Sequence, residues 1–471
     1  MGVGLSSWRL ARAVATYGQL GVVSGTASAV TQARQLAIGD PGGHVTGALA
    51  SFPLPEVADR VRQRYLDTAR GGGGRARFRG VARPSLNPNA ALSELTVVAN
   101  FVEVFLAKSG HDGLVEINYL EKVQLPTLAS LYGAMLAGVD YVLMGAGVPA
   151  RIPALIDRLA RHERVTMPVT VAGAERGDGF EIEFDPRAFG GGHELAALRR
   201  PRFLAIVSSA TLATFLARNA SGTPDGFVVE THTAGGHNAP PRGKLRVDDA
   251  GQPVYGQRDV IDLAPIAALE LPFWLAGGYA SPDALADAQA AGAVGIQVGT
   301  AFAFCEESGL DPELKRSTIQ AAVVGDTSVR TDARASPTGY PFKIVDTAGT
   351  LSDEGTFELR PRLCDLGYLR EPYKRPDGRV GYRCPAEPVD DYVRKGGDAS
   401  DTQGRRCLCN ALVANIGLGQ VRGDGHIELP LLTAGDDLDG IARFVTAGAV
   451  SYQASDVFRY LLGSSRSPST G

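Results

Sequence analysis

The feature that most constrains this chain is a recurrence. Short apolar runs at residues 20–24, 114–119, 141–145, 203–208, 226–230, 273–276 and 294–298 alternate with stretches of helical spacing. Helical segments are expected at 7–17, 56–69, 92–108, from 127, from 150 to about 162, from 210, at 261–269 and from 282. Apolar strands alternating with helices require a parallel sheet, either open and doubly wound or closed as a barrel. Polar and Gly-rich motifs fall at the C-terminal ends of several of these strands, where barrel enzymes assemble their sites. The pattern therefore predicts an α/β fold of the (β/α)8 TIM-barrel type with seven of its eight strands in evidence.

Two stretches interrupt the repeat. Residues 40–110 carry extra helices, the Gly-rich run at 71–74 and the turn-rich RPSLNPN. Around 166–200, PVTVAGAERGDGFEIEFDP alternates on both sides of a Gly-Asp-Gly turn, the pattern of a β-hairpin. The expected organisation is a barrel domain over 1–303 with these insertions. A C-terminal extension over 304–471 holds all five cysteines, four of them between 364 and 409, and closes with a helix at 437–462 and a Ser-rich tail.

Charge narrows the partners. With 47 basic and 51 acidic residues the net charge is −4, and arginines are spread along the chain, so no nucleic-acid partner is expected. Neither a signal-like start nor an uninterrupted apolar run of membrane-spanning length stands out, and an odd, small number of cysteines suits a reducing cytoplasm. A small-molecule substrate is the expected partner.

The chemistry concentrates in three motifs. In VVETHTAGGHNAPPRG, Gly235 and Gly236 remove side chains so that a flat ring can approach the backbone, and His237 follows at the barrel mouth. LAGGYAS sets Gly277 and Gly278 after the next strand, and IQVGTAF sets Gly299 and Thr300 after the last. Loops after the final two barrel strands can aim unobstructed N–H groups at a phosphate, with the Thr300 hydroxyl as a further donor. Cys364, Cys384, Cys407 and Cys409 lie within one segment and supply enough thiolates for zinc or an iron–sulfur cluster. Their irregular spacing favours buried reduced thiols, so no metal is expected.

Together with MGVGLSSWRLARAVATYGQLGVVSG at the start and GVDYVLMGAGVPARIPALIDRL in the middle, AGGH, LAGGYAS and IQVGTAF make residues 1–308 resemble the nitronate monooxygenase family. These 2-nitropropane dioxygenase-like proteins are FMN-dependent TIM-barrel oxidoreductases related to FMN-dependent enoyl-(acyl carrier protein) reductases. The resemblance implies that His237 is the catalytic histidine beside the flavin. It implies FMN contacts from Met1, Gly2, Asn118, Gly145, Gly147, Gly235, Gly236, Gly277, Gly278, Gly299 and Thr300. The expected activity is oxidation of a nitronate or nitroalkane to a carbonyl compound and nitrite with O2. Alternatives are an NAD(P)H-dependent enoyl reductase working on an acyl carrier protein, and a non-catalytic flavin-binding subunit. Thr233 stands where relatives carry an acid just before AGGH. Relatives also begin with a strand leading into a Gly-Met-Gly loop, so the expected reason for the absent strand is a chain start placed too late.

Overall fold

The computed structural model describes residues 2–71, 76–193, 195–446 and 448–463. The Gly-rich run noted above falls mostly outside them, as does the Ser-rich tail. Along the chain, β1 (Gly21–Ser24), β2 (Val115–Leu120) and β3 (Tyr141–Gly145) precede the hairpin β4 (Val165–Pro168) and β5 (Glu181–Phe184). The repeat then resumes with β6 (Arg202–Val207), β7 (Gly226–Glu230), β8 (Phe273–Ala276) and β9 (Gly295–Gln297). The seven strands outside the hairpin form one parallel sheet in the order β1-β2-β3-β6-β7-β8-β9. Chain neighbours are therefore sheet neighbours throughout, as in a TIM barrel. Among the described residues β1 and β9 are not paired, so the barrel is open between them.

Alternation along the strands explains the two faces. Phe203, Ala205, Phe227, Val229, Phe273 and Leu275 point outward into the main core under the helices. Leu143, Leu204, Val228 and Ala276 point inward and form a small core of their own. On β2 the outward set is Val115, Ile117 and Tyr119, which turns Glu116, Asn118 and Leu120 toward the barrel axis. Close packing depends on glycine at the helix–sheet contact: a Cβ on Gly21 would stand 2.0 Å from the carbonyl oxygen of Ala11.

The helix Ala90–Lys108 is long and apolar enough to cross a membrane, yet most of it is buried inside the fold. It packs on the helices Trp8–Thr16, Ser28–Ala37 and Thr127–Leu136. Its start is capped by the Asn89 side chain, which accepts the Leu92 N–H at 2.9 Å. The buried Glu103 carboxylate in turn accepts the Trp8 N–H at 3.1 Å and ties the first helix down.

Beyond the barrel come two antiparallel pairs, β10 (Val329–Asp332) with β11 (Phe342–Val345) and β12 (Glu371–Lys374) with β13 (Val380–Arg383). The hairpin β4–β5 reaches β12, where Ala172 N–H donates to Pro372 O and Lys374 N–H to Ala172 O. Phe304, Leu432, Ile441, Phe444, Phe458 and Leu461 share a core with Leu5 and Leu10 of the N-terminal segment. The C-terminal chain thus packs along the side of the barrel mouth.

Two expected helices are shorter in the structure. The segment expected at 437–462 divides into a 3-10 turn at Asp439–Phe444 and an α-helix at Ala454–Leu462. Between them the chain passes the β-branched Val445, Thr446 and Val450 and turns at Gly448, whose φ is +83°. The helix expected at 261–269 is only Ala264–Ala267. The Asp262 side chain accepts the Ala264 N–H at 3.1 Å, which fixes a late start, and Glu270 leaves at φ +57°.

Candidate active site at the barrel mouth

One cavity of about 1110 Å³ opens at the C-terminal ends of the strands. Gly2, Asn118, Gly145, Gly147, Gly235, Gly236, His237, Gly277, Gly278, Gly299 and Thr300 all line it, while Met1 lies outside the described residues. The cavity extends through the gap between β1 and β9, past Leu10, Val14 and Gln19 on one side and Leu285, Gln289 and Val294 on the other. The C-terminal chain contributes Phe342, Thr433, Phe444, Phe458 and Leu461 to the wall.

The loops after β8 and β9 have the local geometry of an anion cradle. Gly277 and Gly278 adopt φ of +92° and +77°, a region costly for other residues. A Cβ on Gly277 would stand 2.3 Å from Thr231 Oγ1. Among the described residues no backbone carbonyl outside the helices and strands takes the N–H of Gly277, Gly278 or Gly299. Donors left unpaired in a cavity call for an anion or water. The segment 433–436 lies across the neighbouring loop: Gly435 N–H donates to Thr300 Oγ1 at 2.8 Å and Gly236 N–H donates to Thr433 Oγ1 at 2.8 Å. Thr300 keeps its own hydroxyl proton to donate. Thr233 turns its hydroxyl to Thr231, 2.6 Å away, and its carbonyl accepts the Asp436 N–H.

His237 is held from both sides. Its backbone pairs with Phe342 of β11, through Lys343 N–H to Gly236 O and Asn238 N–H to Pro341 O, both 2.9 Å. Its ring meets Phe342 edge-on, centroids 4.9 Å apart. Nε2 is 2.7 Å from Ser336 Oγ, Ser336 Oγ is 2.8 Å from Thr338 Oγ1, and Lys122 Nζ donates to Thr338 Oγ1 at 3.3 Å. His237 is half-buried and lines the cavity. Burial, followed by the charge on Lys122, pushes His237 well below its ordinary range. Burial likewise brings Lys122 down to about 7. The imidazole is therefore neutral at physiological pH and free to accept a proton.

Two carboxyl groups and a polar chain were not singled out from the sequence. Glu116 lines the cavity, and burial lifts it to about 8; its Oε1 has no hydrogen-bond partner. Glu230, at the end of β7, is lifted by burial to about 7. An acid inside an apolar strand, in phase with Asn118, was a readable signal for Glu116. Ser336, Thr338 and Thr433 carried none, because they reach the site from the C-terminal chain. Cys364, Cys384, Cys407 and Cys409 gather around a second, small void, and of the four Cys409 also lines the large cavity.

A family model described as nitronate monooxygenase matches residues 192–339. Similar solved structures include FabK from Thermotoga maritima, 15% identical with a TM-score of 0.46, covering 98% of this chain and 90% of that one. A nitroalkane oxidase from Streptomyces ansochromogenes is 18% identical with a TM-score of 0.43, covering 98% and 92%. The enoyl reductase domain of MlnA from Bacillus amyloliquefaciens is 11% identical with a TM-score of 0.39, covering 77% and 82%. The comparison with curated proteins returns no match.

Proposed function

We infer that this enzyme, an oxidoreductase of the nitronate monooxygenase type, binds FMN at the barrel mouth and oxidises a nitronate or nitroalkane, with His237 handling the α-carbon proton. The observation that carries the reading is a neutral, half-buried imidazole sharing one cavity with three glycine-lined loops. The unpaired amides of Gly277, Gly278 and Gly299 and the Thr300 hydroxyl suit the phosphate of FMN. Gly235 and Gly236, which present no side chain, suit the approach of its ring. FMN, when bound, supplies the electron acceptor and the oxygen chemistry that convert a nitronate to a carbonyl compound and nitrite.

His237 accepts the α-proton of a neutral nitroalkane. The ring is fixed for that task by Ser336 on Nε2 and by Phe342 against its edge. Glu116, protonated at neutral pH, adds no negative charge to repel an anionic substrate. Phe342, Phe444, Phe458 and Leu461 give the cavity an apolar wall on the C-terminal side.

One observation favours a second reading, NAD(P)H-dependent reduction of an enoyl thioester carried by an acyl carrier protein. The apolar side chains of Leu10, Val14, Phe444, Phe458 and Leu461 line part of a cavity of about 1110 Å³, a lining that suits an acyl chain. In that case His237 gives a proton to the substrate instead of taking one. Anaerobic mixing of the yellow protein with NAD(P)H separates the two. Unchanged flavin absorbance together with nitrite release from a nitroalkane supports the first reading, and rapid bleaching supports the second. A colourless protein that FMN does not reconstitute overturns both.

A further inference from the structure

The four cysteines of the C-terminal chain come from three places: Cys364 beyond the helix Glu354–Leu359, Cys384 directly after β13, and Cys407 and Cys409 at the start of the helix Leu408–Ala414. All four border one void of about 10 Å³. Cys364 and Cys409 pack against buried Cys384 and Cys407 in one small cluster. None of the four is in a disulfide, and the fifth cysteine, Cys305, lies apart in another core. A void of this size admits a single small atom. Buried free cysteines are ordinary packing residues, but four brought from three places in the chain to one void also supply the ligand number of a tetrahedral metal site.

Two further observations say what the void takes. The Asn410 side-chain amide donates toward Cys407 Sγ, 3.5 Å away. Arg83, Arg362 and Arg370 surround the cluster and donate only to carbonyl oxygens, Arg83 to that of Cys364 at 2.9 Å and Arg362 to that of Pro385 at 3.0 Å. Among the described residues none of the three has a carboxylate partner within ion-pair distance. Burial keeps Cys407 and Cys409 as neutral thiols here, and the amide and guanidinium donors around the cluster stabilise thiolate charge once a metal displaces the thiol protons.

We propose that Cys364, Cys384, Cys407 and Cys409 bind one zinc ion in a closed, tetrahedral, all-thiolate structural site. Four S–H protons leave to solvent as four Zn–S bonds form, with no change of oxidation state. The resulting charge of two minus is offset by the surrounding arginines. Among the described residues no three such groups already stand in metal-binding geometry, so binding requires the four side chains to close onto the ion. Leu408 and Cys409 border both this void and the large cavity. The ion therefore fixes the segment from which the cavity wall is built.

The test is metal analysis of the full chain purified without chelators. The expected result is about one zinc per chain, lost in Cys407→Ser/Cys409→Ser and kept in Cys305→Ser. Should the double variant fail to fold, the wild-type protein decides. After zinc is removed under reducing conditions, added cobalt(II) should bind one per chain, with thiolate-to-cobalt charge-transfer absorption and tetrahedral d–d bands. Metal-free wild-type protein that takes up no cobalt overturns the proposal. So does iron accompanied by acid-labile sulfide, or zinc retained in a folded double variant.

Discussion

Lys122→Met tests the electrostatic account of His237. Three contacts of 2.7, 2.8 and 3.3 Å connect His237 Nε2 to Lys122 Nζ through Ser336 and Thr338, which bounds their separation at about 9 Å. At an effective dielectric of about 20, two unit charges at that distance repel by roughly 2 kcal/mol, a little over one pKa unit. The repulsion operates where it matters, since Lys122 titrates near 7 and is charged across the lower range in which His237 gains its proton. Removing the ammonium raises the histidine toward its ordinary value, while burial, the larger cause, still holds it below. His237 must be neutral to accept a proton, so the acid limb of activity should move to higher pH by about one unit. The assay is kcat/KM for a nitroalkane against pH, with FMN saturating. An unmoved limb, or one displaced to lower pH, would refute the coupling.

Glu116→Gln should stabilise the protein progressively as pH rises. The folded carboxyl is raised to about 8, so the stability linked to its protonated form is complete below about 4.5 and is lost as pH rises through about 8. The melting-temperature difference between variant and wild type should widen across that window, and a constant difference would contradict the assignment. Gly278→Val should raise the Kd for FMN at least about tenfold, roughly 1.4 kcal/mol, because a β-branched residue at φ +77° is strained and fills the cradle. Flavin-fluorescence titration measures it, and unchanged affinity would remove the cradle from the phosphate site. Gly235→Val should loosen the 433–436 segment, since even a Cβ there would lie 2.7 Å from the Ala434 carbonyl carbon. Faster proteolysis at that segment checks this, and an unchanged rate counts against the contact.

The barrel strands were legible because a parallel strand buried on both faces must be apolar along its length, and runs such as FVV at 227–229 have few other uses. The hairpin at 165–184 was legible from alternation around Gly-Asp-Gly. Helix ends were less so. The Asp262 side-chain turn and the positive φ of Glu270 cut one helix to a single turn, and a β-branched stretch with Gly448 divided another. At the site, the glycine loops and His237 carry local signals, and the structure brings them to one cavity. What supports His237 comes from far along the chain: Ser336 and Phe342 reach it through a β-bridge that no local pattern encodes. Glu116 was readable in principle by its phase with Asn118, but an acid within an apolar run signals a function only once the inward face is known.

The central claim is that His237 handles the substrate proton beside a bound flavin, and His237→Asn addresses it most directly. The variant should retain FMN at wild-type stoichiometry, because the ring's hydrogen bond goes to Ser336 and it supplies none of the glycine amides assigned to the phosphate. Turnover of a neutral nitroalkane should fall by about 10²- to 10⁴-fold, the usual worth of general acid–base assistance. A preformed nitronate, which has already lost the proton, should be turned over with a much smaller defect. Equal wild-type turnover of both substrates by the FMN-loaded variant would contradict the account.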